Sequence, residues 1–505
     1  MMLSSFLSVY AGGLLTNTNQ SVHFLRNPAR GASMEIDAVY TNPAGLAKLS
    51  TNGFHFSVNN QSAFQVRTIT STFAPFALNG SSEKEFEGKA SAPIIPSLFA
   101  AYKMDKWVIS ANIGVIGGGG KAIFEKGLPS FESQIAAPIA QLSGAAGIPT
   151  TYTLDSRLEG SSITYGVQVG ATYKINEMFS AYVGGRVNLV NNGYEGYLRN
   201  INIAAADNLI TYFTTAAGQL GQLAGGLEGL DATYPLTVLP PDKLAIYESV
   251  LGDAVNILTV GQAQGILNDK AAEATGAAAG VEQLGKTNLD LDTKQTGFGV
   301  TPIIGFNFNW EKLNVGVKYE FITKIELEND TKVNATPVTD FDHKVKTPYD
   351  IPALLTIGAQ YEVTPSIKVS AGYHHFFDSD AKMANDKQKY IDGGMNEYLL
   401  GVEWQINPMF LVSAGGQVSR TGVTHEYQAD MSYSLNSYSI GFGGAVNITE
   451  KIRVNLAYFF TNYEKWTKEY TNYYNVSPPE QPPVFGKDVF SRTNQVFGIG
   501  VDFRL

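Results

Sequence analysis

Long stretches of this chain alternate apolar and polar residues with a period of two. In residues 496–505 (VFGIGVDFRL), Phe497, Ile499, Val501, Phe503 and Leu505 fall on one face. Val496, Gly498, Gly500, Asp502 and Arg504 fall on the other. Successive side chains of a strand point to opposite faces, so this is a strand with one greasy side. The same alternation recurs upstream. Phe179, Ala181, Val183, Val187 and Leu189 share a face opposite Ser180, Tyr182, Arg186 and Asn188. Leu313, Val315, Val317, Tyr319 and Phe321 oppose Asn314, Lys318 and Glu320. Ile452, Val454, Leu456, Tyr458 and Phe460 oppose Arg453 and Asn455.

These segments come in pairs joined by tight turns. The paired ranges are 97–104 with 106–116, 161–174 with 179–190, and 297–309 with 313–322. Further pairs are 351–363 with 367–376, 397–406 with 410–419, and 434–448 with 452–460. Asn176, Pro365, Asn407-Pro408 and Glu450 supply the turn chemistry between them. With single strands at 53–69 and 493–504 the total is about fourteen, an even number as in single-chain bacterial barrels. Short connections alternate with long ones, near residues 71–93, 119–160, 191–295, 324–350, 377–395, 421–433 and 462–492. Short turns at one end and long loops at the other are the asymmetry of an outer-membrane barrel. Trp107, Phe179, Trp310, Tyr361, Trp404 and Phe410 flank the tight turns and are expected to form an interfacial aromatic belt.

Composition sharpens this picture. The hydrophobic share is 44% of 505 residues, yet mean hydropathy is only −0.06. No run approaches the roughly 20 apolar residues of a transmembrane helix. A barrel strand gives half its residues to the lumen, so low bulk hydropathy fits. A net charge of −10 argues against a nucleic-acid partner. The absence of cysteine removes disulfides and thiolate chemistry. Residues 1–11 read as the remnant of a secretory signal ending at Ala11, without its basic start. Residues 53–505 are assigned to the barrel. Within them, 191–295 is an Ala/Gly-rich extracellular insertion, partly helical around 243–259 behind Pro240-Pro241-Asp242.

Residues 12–52 do not pattern as strands. They contain two Asn-Pro-Ala triplets, Asn27-Pro28-Ala29 and Asn42-Pro43-Ala44. Proline interrupts both helix and ladder, so this segment is expected to be compact and irregular. About fourteen strands make a bore wide enough to need a plug. The run from Tyr40 through Asn42-Pro43-Ala44-Gly45-Leu46 to Ala47 resembles the hatch signature of FadL-type outer-membrane transporters. Residues 351–361, IPALLTIGAQY, are similar to that family's proline-then-strand segment.

The resemblance implies an all-β membrane protein: an antiparallel barrel of about fourteen strands with an N-terminal hatch in its lumen. It implies passive uptake of long-chain fatty acids or other hydrophobic compounds, with lateral exit through a kinked strand. Gly114, Gly117 and Gly118, where the third strand runs into a glycine tract, are the expected gate. A carboxylate head group in the lumen would need cations. Arg186, Lys318, Lys368 and Arg453 face inward by parity and are the expected ligands, the alternative being an ion network that braces the hatch. His374 and His375 lack a third ligand nearby, so no metal is expected. No cofactor and no enzymatic motif is found: nothing matches a G-x-S-x-G elbow, an H-E-x-x-H helix or a P-loop. The expected partners are a hydrophobic small molecule and the lipid and lipopolysaccharide of a Gram-negative outer membrane. A monomer is expected. The alternative is a structural or adhesive barrel whose long loops bind partner proteins.

Overall fold

Each alternating segment finds its partner in the next one along the chain. The computed structural model describes residues 18–479 and 481–505; the expected signal remnant and the first residues of the 12–52 segment lie outside them. The described strands close into a 14-strand antiparallel barrel. Its first half comprises β1 (Gly53–Phe73), β2 (Glu83–Met104), β3 (Trp107–Phe124), β4 (Tyr152–Lys174), β5 (Phe179–Ile203), β6 (Leu289–Trp310) and β7 (Leu313–Glu320). The second half comprises β8 (Leu354–Thr364), β9 (Ile367–Phe376), β10 (Asn396–Gln405), β11 (Phe410–Arg420), β12 (Ser437–Asn447), β13 (Ile452–Tyr463) and β14 (Gly486–Arg504). Neighbours pair in chain order, and β14 returns to β1 from Arg504 opposite His55 to Gly486 opposite Phe73. Closure pairs every strand with both neighbours along at least part of its length, as a wall in lipid requires.

The short connections gather at the end holding His55 and Arg504. Asp105-Lys106 and Glu311-Lys312 are two-residue hairpin loops, with Asp105 and Glu311 at φ of 46° and 50°. Such left-handed positions match the twist of the flanking strands. Facing follows the sequence parity. Val183, Phe306, Leu400 and Ile440 are exposed on the outside, whereas Ser180, Asn188, Asn314 and Asn455 are buried inside. Trp107, Phe179, Trp310, Tyr361, Trp404 and Phe410 are all exposed near the tight turns. No helix among the described residues is long and apolar enough to cross a membrane.

The early strands are longer than the alternation predicts. β5 has 25 residues, where about 9–11 suffice to cross a bilayer. The wall therefore rises well past the membrane at its outer end. Glu326–Asn334 extends the sheet beside β6, and Trp466–Tyr470 pairs with β14. The 119–160 connection contains a helix, Pro129–Ala146, started by Pro129 and ended by Gly147 at φ +64°. Its buried Ile135 and Ile139 pack with Phe73, Phe76, Phe86 and Tyr473 into an apolar core at the outer end. In the longest insertion the helices are Ala206–Gly225, Pro241–Leu251 and Val260–Gly285. The expected helical stretch at 243–259 keeps its start but turns to a short 3-10 segment after Leu251.

Candidate functional site

The described part of the N-terminal segment lies inside the barrel. Short helices form at Val22–Arg26 and Ala38–Thr41, and a 3-10 helix forms at Pro43–Lys48. Ser21 caps the first by accepting a hydrogen bond from Phe24 N at 3.2 Å. Asn27, Pro28, Ala29, Asn42, Pro43 and Ala44 are all buried. Asn42 Nδ2 donates to Asn307 Oδ1 on β6 at 2.8 Å and to Ser33 O at 3.0 Å. Carbonyls of Pro43 and Ala44 accept from Thr172 on β4 and Ser180 on β5, both at 2.7 Å. Pro43 has no N–H to give to the carbonyl four residues back, and that carbonyl, Val39 O, accepts instead from Gln168 Nε2 on β4 at 2.8 Å. Close approach needs small residues on the wall. A Cβ on Gly358 would stand 2.2 Å from Gly31 C, and one on Gly401 would stand 1.9 Å from Asn27 Oδ1.

Ion pairs tie this segment to the strands. Arg26 pairs with Glu403 of β10, and its Nη1 donates to Ser413 of β11 at 2.9 Å. Arg30 reaches Asp37 at 2.8 Å, Glu35 at 2.9 Å and Glu403 at 3.2 Å. Arg453 of β13 donates to Glu35 at 2.6 Å. His23 Nε2 bonds Asp502 of β14 at 3.0 Å, and Asp502 also accepts from Ser57 of β1 and Asn455 of β13. In the other half of the lumen Lys318 donates to Glu320 at 2.6 Å and to Tyr40 O at 2.8 Å. Arg186 pairs with the same Glu320 and lies over the Tyr40 ring at 5.5 Å.

The structure thus places three of the four expected cations, Arg186, Lys318 and Arg453, against carboxylates and the N-terminal segment. Lys368 is half-buried near the tight-turn end and has no ion-pair partner among the described residues. His374 bonds Glu397 at 2.8 Å and His375 bonds Asn396 at 2.9 Å.

Beyond the segment toward the outer end the lumen opens into a cavity of about 550 Å³. Phe24, Phe124, Leu128, Leu158, Phe459 and Val496 give it apolar walls. Gln61, Ser97, Asn494 and Ser439 add polar ones. At its outer rim Tyr433 is flanked by Ser432, whose carbonyl accepts from Lys387 at 2.9 Å. Burial, with Lys468 adding to it, pushes the Lys387 ammonium down to about 7.

The barrel wall is interrupted beside this cavity. The β2–β3 ladder runs from Met104 opposite Trp107 to Leu98 opposite Ile113. It resumes only at Ala90 opposite Ala122, leaving 91–97 and 114–121 unpaired with each other. Pro93 and Pro96 have no N–H to give, which explains the break on β2. On β3, Gly118 and Gly120 adopt φ of +95° and +72°, and a Cβ on Gly118 would stand 2.1 Å from Ser162 O. Glycine is required there. Gly114 and Gly117 still pair with Gly166 and Thr164 of β4, with a register shift after Val115. Ala92, Ile94, Ile95 and Gly118–Gly120 all line the cavity, and Ile94 is 75% exposed. Sequence reading found the glycines but passed over the two prolines opposite them.

No family model and no curated protein matches the sequence. Solved structures do. A FadL homologue of Pseudomonas aeruginosa aligns over 98% of this chain and 99% of its own, at 11% identity and a TM-score of 0.59. A deltaS2S3 mutant of TodX, a monoaromatic hydrocarbon channel, aligns over 96% of this chain and 99% of its own, at 14% identity and a TM-score of 0.51. The chain has the FadL-type barrel fold.

Proposed function

We propose that this chain is an outer-membrane conduit through which small hydrophobic molecules pass inward without an energy source or chemical reaction. The observation that carries this reading is the junction of a lumen cavity bearing apolar walls with a gap in the barrel wall. A hydrophobic solute gains roughly 25 cal/mol per Å² on leaving water for such a surface. It needs a route that does not return it to water. The segment ending at Asn52 acts as a hatch that closes the periplasmic half of the bore, so water and ions do not leak. The gap at 91–97 and 114–121 then delivers the solute sideways into the bilayer. Arg186, Lys318 and Arg453 brace the hatch in this reading rather than meet the solute. Long-chain fatty acids and neutral hydrocarbons both fall within it.

The test is uptake by cells that lack such a conduit of their own. Cells making this chain should take up a radiolabelled long-chain fatty acid or an aromatic hydrocarbon at least about tenfold faster than cells without it. Gly114→Leu with Gly117→Leu should remove most of that gain. Absence of any gain would end the transport reading. Full uptake by the double variant would end the lateral exit alone. A surface-adhesive role would instead show as partner binding that survives the double variant with no uptake.

A further inference from the structure

The outer end of the lumen cavity is roofed by residues 425–435, the middle of the β11–β12 connection. Met431, Ser432, Tyr433, Ser434 and Leu435 line the 550 Å³ space. Tyr433 and Leu435 continue outward into the apolar core that holds Phe76, Ile135 and Tyr473. Tyr427, Gln428, Asp430 and Ser432 are buried as well. The segment does not stay on its own side of the barrel. Asp430 Oδ2 accepts from Ser130 N, in the first turn of helix Pro129–Ala146, at 2.9 Å. That helix belongs to the β3–β4 connection, and six strands lie between the two connections one way round and eight the other. The bond therefore completes a bridge across the mouth.

Further ties run to backbone carbonyls of the segment. Lys468 Nζ donates to Gln428 O at 2.6 Å, Lys387 Nζ to Ser432 O at 2.9 Å and Arg492 Nη2 to Tyr433 O at 3.1 Å. Arg67 of β1 and its register partner Arg492 lie 4.9 Å and 5.2 Å from the Tyr433 ring centroid. No strand includes residues 425–435, so side chains rather than a ladder hold them to the barrel. The segment also braces itself: Gln428 Nε2 donates to Ser434 O at 2.7 Å and Gln428 Oε1 accepts from Ser434 N at 3.0 Å. It can leave its seat as one piece. Burial raises the Asp430 carboxyl to about 6 and lowers the Lys387 ammonium to about 7, so seating works against the charged form of each.

We propose that residues 425–435 are an entry lid. Seated, the lid bars the cavity from outside. Lifted, with the Asp430–Ser130 bridge broken, it admits a solute. This inference rests on the conduit reading and gives it a controlled inlet: hatch and lid close opposite ends of one chamber.

The test uses the full chain, whose lack of cysteine makes introduced thiols unique. Ser432→Cys alone should react slowly with a membrane-impermeant maleimide, in proportion to the lifted population. Asp430→Ala leaves Ser130 N and Met431 N without their acceptor in the seated position. Labelling should then speed up about tenfold, the size expected for one lost charge-assisted hydrogen bond. Asp430→Asn keeps an acceptor oxygen and should label near the parent rate. A Ser432→Cys thiol that stays unlabelled in both the parent and the Asp430→Ala background, or labels equally fast in both, would overturn the lid. The functional arm locks it shut. Ser130→Cys with Asp430→Cys, oxidised to a disulfide confirmed by mass, should slow uptake of labelled hexadecanoate and naphthalene at least about tenfold, and reductant should restore it. Recovery in the same molecules separates locking from misfolding. Unslowed uptake through the confirmed disulfide would overturn the lid and leave the conduit reading standing. No uptake of either probe by the parent chain would end the conduit reading and the lid with it.

Discussion

The two halves of the lumen solve the problem of buried charge in opposite ways. In the half holding residues 21–49, Arg26, Arg30, Arg186, Lys318 and Arg453 each face a carboxylate, and the wall presses on the segment at Gly358 and Gly401. In the outer half a cavity with both apolar and polar walls remains, and Arg67 and Arg492 face each other over tyrosine rings. Composition alone does not separate the two, since both halves contain arginine, aromatic and hydroxyl side chains. The difference lies in whether a counter-ion is within reach.

The largest effect is expected from removing an anchor. Glu403→Ala leaves Arg26 with only Glu35 at 3.8 Å and takes one of three carboxylates from Arg30. Breaking a buried pair costs about 3–5 kcal/mol. Single-channel recordings in planar bilayers should then show frequent large openings where the parent chain is nearly silent. Silence in the variant would mean that the ion pairs do not seat the segment.

A smaller effect should follow from Gly358→Val, which keeps all charges but removes the space that Gly31 and Ala32 occupy. Overpacking costs about 1–3 kcal/mol. Trypsin should cut after Arg30 faster than in the parent chain, and the cavity should still bind its solute. Cleavage at the parent rate would show that the segment has room to spare.

The smallest change is expected at the other end. Arg67→Gln removes one of two opposed charges and no ion pair, so the midpoint of heat-induced unfolding should stay level or rise slightly. A large loss would place Arg67 with the anchors and erase the contrast between the halves.

The barrel was legible because lipid on one side and a polar lumen on the other impose a strict two-residue period. Parity placed Ser180, Arg186, Asn314, Lys318 and Arg453 on the inner side, where the structure has them. That period fades where the wall leaves the membrane. Residues 191–203 predict a loop from their polar composition, yet they continue β5 to Ile203. The last strand shows the same contrast: the alternation starts at Thr493, whereas β14 begins at Gly486. The local ion pair of Lys318 with Glu320, two positions apart on one face, is legible in the sequence, whereas the long-range partners are not. Arg26 and Glu403 are separated by 377 positions, and only the closed barrel brings them together. The break between β2 and β3 was half-visible, as a glycine tract without the prolines that face it.

Asp502 sits where three parts of the molecule converge. Its carboxylate accepts from Ser57 on the first strand, Asn455 on the penultimate strand and His23 on the interior segment. Zipping the seam and capturing the segment thus complete the same hydrogen-bond set. During biogenesis, a cylinder that shut before its interior was loaded would strand that carboxylate without His23. Closure of the cylinder and capture of its interior segment are therefore coupled through one side chain.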